Sequence, residues 1–497
     1  MDNYDDIVVG SGISGLTTAL ILGMNKRKVL LIEKSPKIGG ALSRFYKKGI
    51  PYDTGFHFTG GLANDLILAD MLSVLSINED ITPEFIDKPQ NNRFIFENTG
   101  ETYESRLGFY QNRDDMIKLF PEEEKAITSY YRNMKYIREN TKAMNIHAEF
   151  EMQQPLDDDF ISLKNKLDSL SKNQALKTIL SAYSMCHGTN PSKISFADHA
   201  RVTYTISESI ARIKNGGDAF IKAFKKKFEK FDIDIKTNTF IKSCENIKNR
   251  KVGKFVLNDG TELSPENCIF TIHPQEILKT FKEENTSKAF RDRVQGFEES
   301  IGLFNVFIKF TKEDEKPFDP AVITFYPDTD MEKMFTHGHE GNFPLVMVRS
   351  CETVKNKKIN TINAFEISHY KDVAKWADSY TGDRSKEYEE YKKNKAAQIT
   401  KRIIKFFPEY GNFLEVIDSA SMLTFRDYLN NPYGSAYGIK QKIGQFNLIG
   451  RVQYKNTFAA GQSAILPGII GAMMSGFTIC RYLLTKDVYK NFINRQN

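Results

Sequence analysis

Three closely spaced glycines near the amino terminus, Gly10, Gly12 and Gly15, form the pattern G-x-G-x-x-G. In this pattern the first glycine permits a tight turn, the second lets backbone approach a phosphate, and the third lets a helix pack closely on a strand. Backbone N–H groups at a helix amino end are unpaired and attract anions. The residues of this turn, including Ile13 and Ser14, are therefore candidates for contacting the pyrophosphate of a dinucleotide.

The motif needs a strand before it and a helix after it, and the sequence supplies both. Residues 6–9 predict a buried strand, residues 16–22 predict a helix, and residues 28–32 predict a second strand. Glu33 ends this second strand, where its carboxylate is placed to accept hydrogen bonds from a ribose diol. Further candidates for the same site follow directly along the chain: Lys34, Gly39 and Gly40.

A second candidate turn lies far along the chain. A predicted buried strand stops at Gly461 and Gln462, and a helix is predicted after a Pro-Gly turn. Ile470 and Gly471 lie at the start of this helix. A second helix amino end that faces the first suits an extended cofactor with charge at both ends.

The composition is that of a globular protein with no bias toward a special class. Hydrophobic residues make up 40% and charged residues 27% of the 497 positions, and the net charge is +6. Lysines alternate with acidic residues, so nucleic-acid binding is not predicted. The five cysteines show no C-x-x-C spacing, which favours a reducing compartment. His337 and His339 lie close together, but no cysteine or acid completes a metal-ligand spacing, so no metal site is predicted.

The two turns together resemble those of the FAD-dependent oxidoreductases, a group that includes amine oxidases, phytoene desaturases, carotenoid isomerases and retinol saturases. The resemblance implies FAD as the cofactor. It assigns the amino-terminal residues to the ADP half and the carboxyl-terminal residues to the flavin half, and it implies that the backbone of Ile241 contacts the adenine.

The closer resemblance is to the desaturase, isomerase and saturase branch, and three segments carry it: residues 52–58 with a D-x-G-x-H pattern, residues 423–439 and residues 460–468. It implies an oxidoreductase that acts on carbon–carbon bonds of a long hydrophobic polyene or isoprenoid, by desaturation, saturation or cis–trans isomerisation. His57 is a candidate catalytic group, and His187 and Asp427 are weaker candidates. The sequence itself assigns no catalytic residue.

Two alternative functions stay open. One is a flavin oxidase of amines or of a porphyrinogen, although amine oxidases carry arginine where this chain has Ala41. The other is a flavin-dependent mutase without net redox chemistry, although no arginine cluster for a nucleotide sugar is evident. No second glycine-rich nucleotide motif occurs, so a dedicated NAD site is not predicted.

The expected fold class is α/β. A Rossmann-like FAD-binding domain of the GR2 type is predicted from residues 1–85, 210–285 and 420–497. It is interleaved with an α+β substrate-binding domain with a mixed sheet, predicted from residues 86–209 and 286–419. Long charged segments without glycine between about 113 and 180 predict a helical subdomain within the second domain.

Two amphipathic segments, 62–77 and 220–231, predict helices whose apolar sides face either the core or a membrane surface. The uncharged stretch 456–480 is interpreted as a strand, a turn and a buried helix rather than a membrane span. No signal peptide is evident. The expected location is the cytoplasm, with peripheral contact at a membrane as the alternative, and the oligomeric state is not predicted.

Overall fold

The computed structural model describes residues 4–148, 154–312, 315–338, 342–445 and 447–495. The strands are β1 Asp6–Val9, β2 Val29–Ile32, β3 Arg44–Lys47, β4 Ile50–Asp53, β5 Pro83–Phe85, β6 Asn92–Phe96, β7 Thr102–Glu104, β8 Ala211–Ile213, β9 Asp234–Lys236, β10 Ile241–Lys248, β11 Lys251–Leu257, β12 Glu262–Leu263, β13 Asn267–Phe270, β14 Gly302–Phe310, β15 Ala321–Tyr326, β16 Leu345–Val354, β17 Lys357–Ser368, β18 Leu414–Ala420, β19 Gly450–Arg451 and β20 Thr457–Ala459. The helices are α1 Ile13–Met24, α2 Ile67–Val74, α3 Phe109–Leu119, α4 Glu124–Asn140, α5 Leu163–Leu170, α6 Gln174–Leu180, α7 Phe196–Glu208, α8 Gly216–Lys230, α9 Pro274–Lys279, α10 Lys288–Gln295, α11 Met331–Met334, α12 Tyr370–Val373, α13 Lys386–Phe406, α14 Met422–Leu429, α15 Gly468–Leu483 and α16 Lys486–Ile493.

A six-stranded sheet carries the glycine motif and has the order β19-β20-β13-β1-β2-β9. All neighbouring pairs are parallel except β19 with β20. Val8 of β1 lies between Leu31 and Ile269 in the register, and all three are fully buried. Helices α1, α2, α8 and α15 cover one face, and the small sheet β10-β11-β12 covers the other. Burial on both faces explains why these strands are continuous apolar runs.

A seven-stranded sheet has the order β18-β14-β17-β16-β15-β6-β7. Its pairs are antiparallel except β15 with β6, so the sheet is mixed. One face packs against α3 to α7 through residues such as Phe94 and Phe365, and the opposite face packs against α13 through Ile399 and Ile403. The predicted α/β class, with a Rossmann-like sheet and a second, mixed sheet, is confirmed. The proposed domain boundaries stay a prediction.

The segment between 113 and 180 is largely helical, as predicted, with α3 to α6 and short 3-10 turns; residues 149–153 are outside the described part. The helix predicted over 62–77 is shorter, since α2 begins only at Ile67. Gly61 and Asp65 adopt positive φ angles of 73° and 65°, which do not continue a helix.

The apolar sides of both amphipathic helices belong to the core. Phe220, Phe224 and Phe228 of α8 are at most 1% exposed, and Leu68 and Met71 of α2 are fully buried. Of the two alternatives for these apolar sides, the structure shows burial in the core. Peripheral membrane contact of the protein stays a prediction. Among the helices within the described ranges, none combines the length and the apolar character that crossing a bilayer requires.

Candidate cofactor and active site

The glycine turn joins β1 to α1 and leaves a space in front of one residue only. Gly10 has a φ of 97°, and a Cβ on Gly15 would lie 1.9 Å from the Gly10 carbonyl oxygen, so neither position accepts a side chain. Gly12, by contrast, has a φ of −61° and no heavy atom within 4 Å of the position of a Cβ. A group as large as a pyrophosphate can therefore approach the backbone at Gly12 and the first N–H groups of α1.

Glu33, the residue after β2, is 8% exposed and is bonded to the glycine turn. Its carboxylate accepts hydrogen bonds from the Ser11 backbone N–H at 2.9 Å, from the Ser11 hydroxyl at 2.6 Å and from the Ser35 N–H at 2.7 Å. The backbone N–H of Gly39 donates to the Ser11 carbonyl at 3.1 Å, and a Cβ on Gly40 would lie 3.3 Å from the Gly12 Cα. Glu33 and the glycine pair thus both contact the turn, at Ser11 and Gly12.

Lys34 and Ile241 lie beyond Glu33 at the same edge of the sheet. The Thr239 N–H donates to the Glu33 carbonyl at 2.8 Å, and β10 begins two residues later at Ile241, which is 5% exposed. Lys34 is exposed, with its Nζ 5.9 Å from the ring centre of Phe240. The adenine contact of Ile241 stays a prediction.

The carboxyl-terminal turn meets the amino-terminal turn through two side chains. Gly461 has a φ of 114°, and its N–H donates to the Ser475 hydroxyl at 2.8 Å. The Ser475 hydroxyl also lies 2.9 Å from the Ser14 hydroxyl of α1. The Thr271 hydroxyl donates to the Gly10 carbonyl at 3.0 Å, and the Thr271 carbonyl would lie 3.3 Å from a Cβ on Gly461. The two predicted turns therefore face one region.

The start of α15 is open in the same way as Gly12. Gly468 is exposed, and nothing lies within 4 Å of the position of its Cβ. Gly471 packs on the Leu466 carbonyl, 2.1 Å from the position of its Cβ, and the Ile470 side chain touches Gly61. From Gly468 to Ser475 the helix rises about 10 Å. We call the region between the two open helix starts, at Gly12 and Gly468, the cofactor groove.

Gln462 lies beside Gly438, with its Nε2 3.4 Å from the position of a Cβ there. The predicted cofactor residues lie in or next to these two turns and the strand ends beside them: Gly10, Gly12, Ile13, Ser14, Gly15, Glu33, Lys34, Gly39, Gly40, Ile241, Gly461, Gln462, Ile470 and Gly471. The Ile13 side chain is buried in the core, so only its backbone faces the groove, and the Ser14 hydroxyl is engaged by Ser475. Their roles in binding stay predictions.

The segment that carries His57 bridges the two ends of the groove. The Gly55 N–H donates to the Ala41 carbonyl at 3.2 Å, next to the glycine pair, and Gly61 touches Ile470 at the start of α15. His57 is buried between them and stacks on Phe365 of β17 with ring centres 4.8 Å apart. Burial lowers the pKa of His57 to about 4, so the ring is neutral near pH 7.

A buried cluster of four charged side chains lies behind this segment. Asp53 forms an ion pair with Arg44, whose Nε lies 2.9 Å from its carboxylate, and accepts a hydrogen bond from Arg212 Nη2 at 3.1 Å. Glu352 of β16 forms an ion pair with Arg44 Nη2 at 2.8 Å and accepts a hydrogen bond from Arg212 Nη2 at 3.2 Å. The side chains are 3–9% exposed, so each charge depends on its partners. The cluster joins the β3–β4 hairpin and β8 to the seven-stranded sheet.

The weaker catalytic candidates are not arranged for acid–base work. His187 is fully buried, and burial lowers its pKa to about 3. Burial raises the pKa of Cys186 to about 11, so its thiol stays protonated. Asp427 is paired with Arg384 at 2.6 Å and with Arg426 at 2.7 Å.

No group of three potential metal ligands is arranged to hold an ion in the part of the chain that the structure describes. His337 lies 3.2 Å from Asp372, and His339 is outside the described residues.

Several site residues were not predicted from the sequence: Ser475, Thr271, Arg212, Glu352, Asn363 and Phe365. None belongs to a local motif, and each has a partner in the site that lies more than 130 positions away along the chain. A buried polar residue on an otherwise apolar strand, such as Asn363 on β17, was the only available signal.

Comparison with known proteins agrees with this geometry. Residues 8–73 match the family model of an NAD(P)-binding Rossmann-like domain. An all-trans-retinol 13,14-reductase from Danio rerio is 23% identical over 534 residues, covering 98% of this chain and 87% of that protein. A 1-hydroxycarotenoid 3,4-desaturase from Flavobacterium sp. is 25% identical over 198 residues, covering 37% of this chain and 40% of that protein. The structure of wild-type putrescine oxidase bound to putrescine has a TM-score of 0.66 at 14% identity and covers 97% and 99% of the two chains.

The fold and the glycine turn define the class of dinucleotide-binding proteins. The relatives narrow this class, and the predicted resemblance is confirmed: the chain is an FAD-dependent oxidoreductase that is similar to retinol 13,14-reductases along nearly its whole length and shares its fold with putrescine oxidase. The open approach to the backbone at Gly12 and at Gly468 fits the two ends of FAD.

Proposed function

We propose that this oxidoreductase acts on carbon–carbon double bonds of a long isoprenoid polyene, in the direction of saturation. Saturation adds two electrons and two protons across one double bond, as a hydride equivalent at one carbon and a proton at the next. The relative that aligns along nearly the whole chain is a retinol 13,14-reductase, and the desaturase relative acts on a carotenoid. Both are named for polyene chemistry.

One observation carries the proposal: the segment that bridges the cofactor groove packs against an apolar sheet face. His57 stacks on Phe365, and the same face of the seven-stranded sheet carries Val346, Val348 and Ile367 in one hydrophobic cluster. Asp53 is the carboxylate whose charge acts on His57, and ion pairs with two arginines already neutralise it. A substrate beside His57 would therefore meet the margin of this apolar cluster and no free carboxylate, which favours a hydrocarbon chain over a cationic amine.

The proposal assigns the cofactor to the groove described above. Gly12 and the start of α1 would hold the pyrophosphate, Glu33 the ribose, and Gly461, Gln462 and the start of α15 the flavin half. Bound FAD supplies two-electron hydride exchange with a substrate carbon. The chain itself contributes the dry apolar wall and the neutral His57 side chain.

The test uses the whole chain reconstituted with FAD. With dithionite as the two-electron donor, all-trans-retinol in detergent micelles should give a product with two more hydrogen atoms. Mass spectrometry of the extracted lipid detects this increase in mass. Putrescine supplied to the oxidised protein should give no hydrogen peroxide. Failure to retain flavin, or peroxide release from amines with no change in any polyene, would contradict the proposal.

A further inference from the structure

His57 is held at the boundary between the cofactor groove and the seven-stranded sheet, and its contacts fix which ring nitrogen carries the proton. The inference drawn from this feature rests on the proposed function and narrows its substrate. Asn363 of β17 lies 3.1 Å from His57 Nδ1 through its side-chain nitrogen. Phe365, two residues along the same strand, covers one face of the ring.

The orientation of the Asn363 amide follows from a second contact. The Asn363 side-chain nitrogen also lies 3.3 Å from the backbone carbonyl of Asp53. A carbonyl oxygen only accepts, so the NH2 end of the amide must face Asp53 and therefore also His57. His57 Nδ1 then accepts a hydrogen bond. Because burial keeps the ring neutral, its single proton lies on Nε2.

The surroundings of the Asn363 amide keep it in this orientation. Ion pairs of the Asp53 carboxylate with Arg44 and Arg212 hold Asp53, and with it the backbone carbonyl that the amide contacts. No described residue accepts a hydrogen bond from His57 Nε2, and Nε2 is not among the fully enclosed atoms that lack a partner. The Nε2–H group therefore keeps some accessible surface and is a donor with no acceptor among the described residues.

We propose that His57 Nε2–H is a fixed hydrogen-bond donor for an oxygen atom of the substrate, so that the substrate is an oxygenated polyene and not a pure hydrocarbon. A carbonyl oxygen of the cofactor offers the same acceptor chemistry. The substrate is favoured because both contacts that fix the ring, Asn363 and Phe365, belong to the sheet with the apolar face. A protonated amine has no lone pair to accept a hydrogen bond from His57 Nε2–H, so it would not be recognised by this donor.

The first experiment reads the proton position directly. Histidine-selective 15N labelling of the FAD-loaded protein should show His57 as the Nε2–H tautomer at neutral pH, assigned by loss of its signals in His57→Gln. In Asn363→Asp the new carboxylate accepts from the ring, so the proton should move to Nδ1. A wild-type Nδ1–H tautomer, or a charged ring, would overturn the inference whatever the activity.

The second experiment measures binding of two probes to the oxidised holoprotein by perturbation of the flavin absorption band. The probes are all-trans-retinol and the hydrocarbon of the same skeleton without the terminal hydroxyl. His57→Phe keeps the stacking but lacks the donor, and we expect it to lose about 10-fold in preference for the alcohol, the worth of one hydrogen bond. His57→Gln, which retains an N–H donor, should keep most of this preference. His147→Gln, at an exposed histidine paired with Asp70, is the control.

The outcomes separate the two proposals. If neither probe binds to the wild-type protein, the proposed function and this inference both fail. If both probes bind equally and His57→Phe changes neither, the function stands and the inference is wrong. A flavin spectrum that shifts in His57→Phe without any probe would place the donor on the cofactor and also overturn it.

Discussion

Gly12 and Gly15 are three positions apart, yet a methyl group would meet very different surroundings at the two. At Gly15 it would collide with the Gly10 carbonyl, whereas at Gly12 it would enter open space at an ordinary φ. Gly15 is thus required by the fold of the protein itself. Gly12 is required only by the ligand that binds there.

This contrast gives a matched pair of variants. Gly12→Ala should leave the free energy of unfolding of the apoprotein within about 1 kcal/mol of wild type, while its affinity for FAD falls at least about 10-fold, a loss of about 1.4 kcal/mol of binding energy. Gly15→Ala should destabilise the apoprotein by about 1–3 kcal/mol or more through overpacking. Denaturant unfolding and FAD titration measure the two effects. Equal FAD affinity in Gly12→Ala and wild type would refute the proposed pyrophosphate position.

Residues within a short motif were predictable because their spacing alone defines the geometry. Gly10, Gly12, Gly15 and Glu33 all fall within one strand–helix–strand unit, so local sequence places them together. The partners of His57 were not predictable in this way. Asn363 lies 306 positions further along, and only the folded sheet brings it to the histidine.

Helices α1 and α15 pack against each other in the site, and Ser475 of α15 lies at their contact. Its hydroxyl accepts from the Gly461 N–H and contacts the Ser14 hydroxyl, while it also donates to the Ala472 carbonyl at 2.6 Å. Gly476, the next residue, lets the helices approach, since a Cβ there would lie 3.0 Å from the Thr18 hydroxyl. One serine therefore ties both turns of the groove together.

Ser475→Ala should cost about 1–3 kcal/mol of stability, because it leaves the buried Gly461 N–H without an acceptor. It should also speed FAD release, since the turn that precedes the flavin half loses its anchor. Denaturant unfolding and the rate of flavin fluorescence recovery measure these effects. Ser169→Ala, which removes an exposed hydroxyl on α5, is the control. Unchanged stability and release in Ser475→Ala would show that the contact is dispensable.

Helix periodicity predicted that α2 and α8 exist but did not determine what covers them. The same apolar stripe fits a core and a membrane, and here the packing of α8 against α1 decides for the core. The start of α2 was misplaced because periodicity at Leu62 and Leu66 continues through a turn at Asp65.

At the scale of the whole molecule, the cluster of Arg44, Asp53, Arg212 and Glu352 joins parts of the chain that no single sheet connects. Arg212 lies 159 positions from Asp53 and 140 from Glu352. Two positive and two negative charges cancel within a region nearly closed to water. Removing one partner leaves a buried charge without compensation, which costs far more than an exposed pair.

We expect Arg212→Met to lower the free energy of unfolding by about 3–5 kcal/mol. The double variant Arg212→Met/Glu352→Leu removes one charge of each sign and should recover a large part of this loss. A double-mutant cycle from denaturant unfolding measures the coupling. Lys88→Met, which breaks an exposed pair with Asp319, should leave stability unchanged. Additive effects of the two substitutions would show that the four charges do not act as a unit.

The hydroxyl contact between Ser14 and Ser475 spans 461 positions. A ribosome delivers the first of these serines long before the second, so a nascent chain carries its phosphate turn unfinished through nearly all of translation. Complete cofactor capture must wait until α15 emerges and brings Ser475 to Ser14. Yellow colour from bound flavin would then report chains that were translated beyond Ser475. A premature stop codon before Ser475 would leave colourless protein.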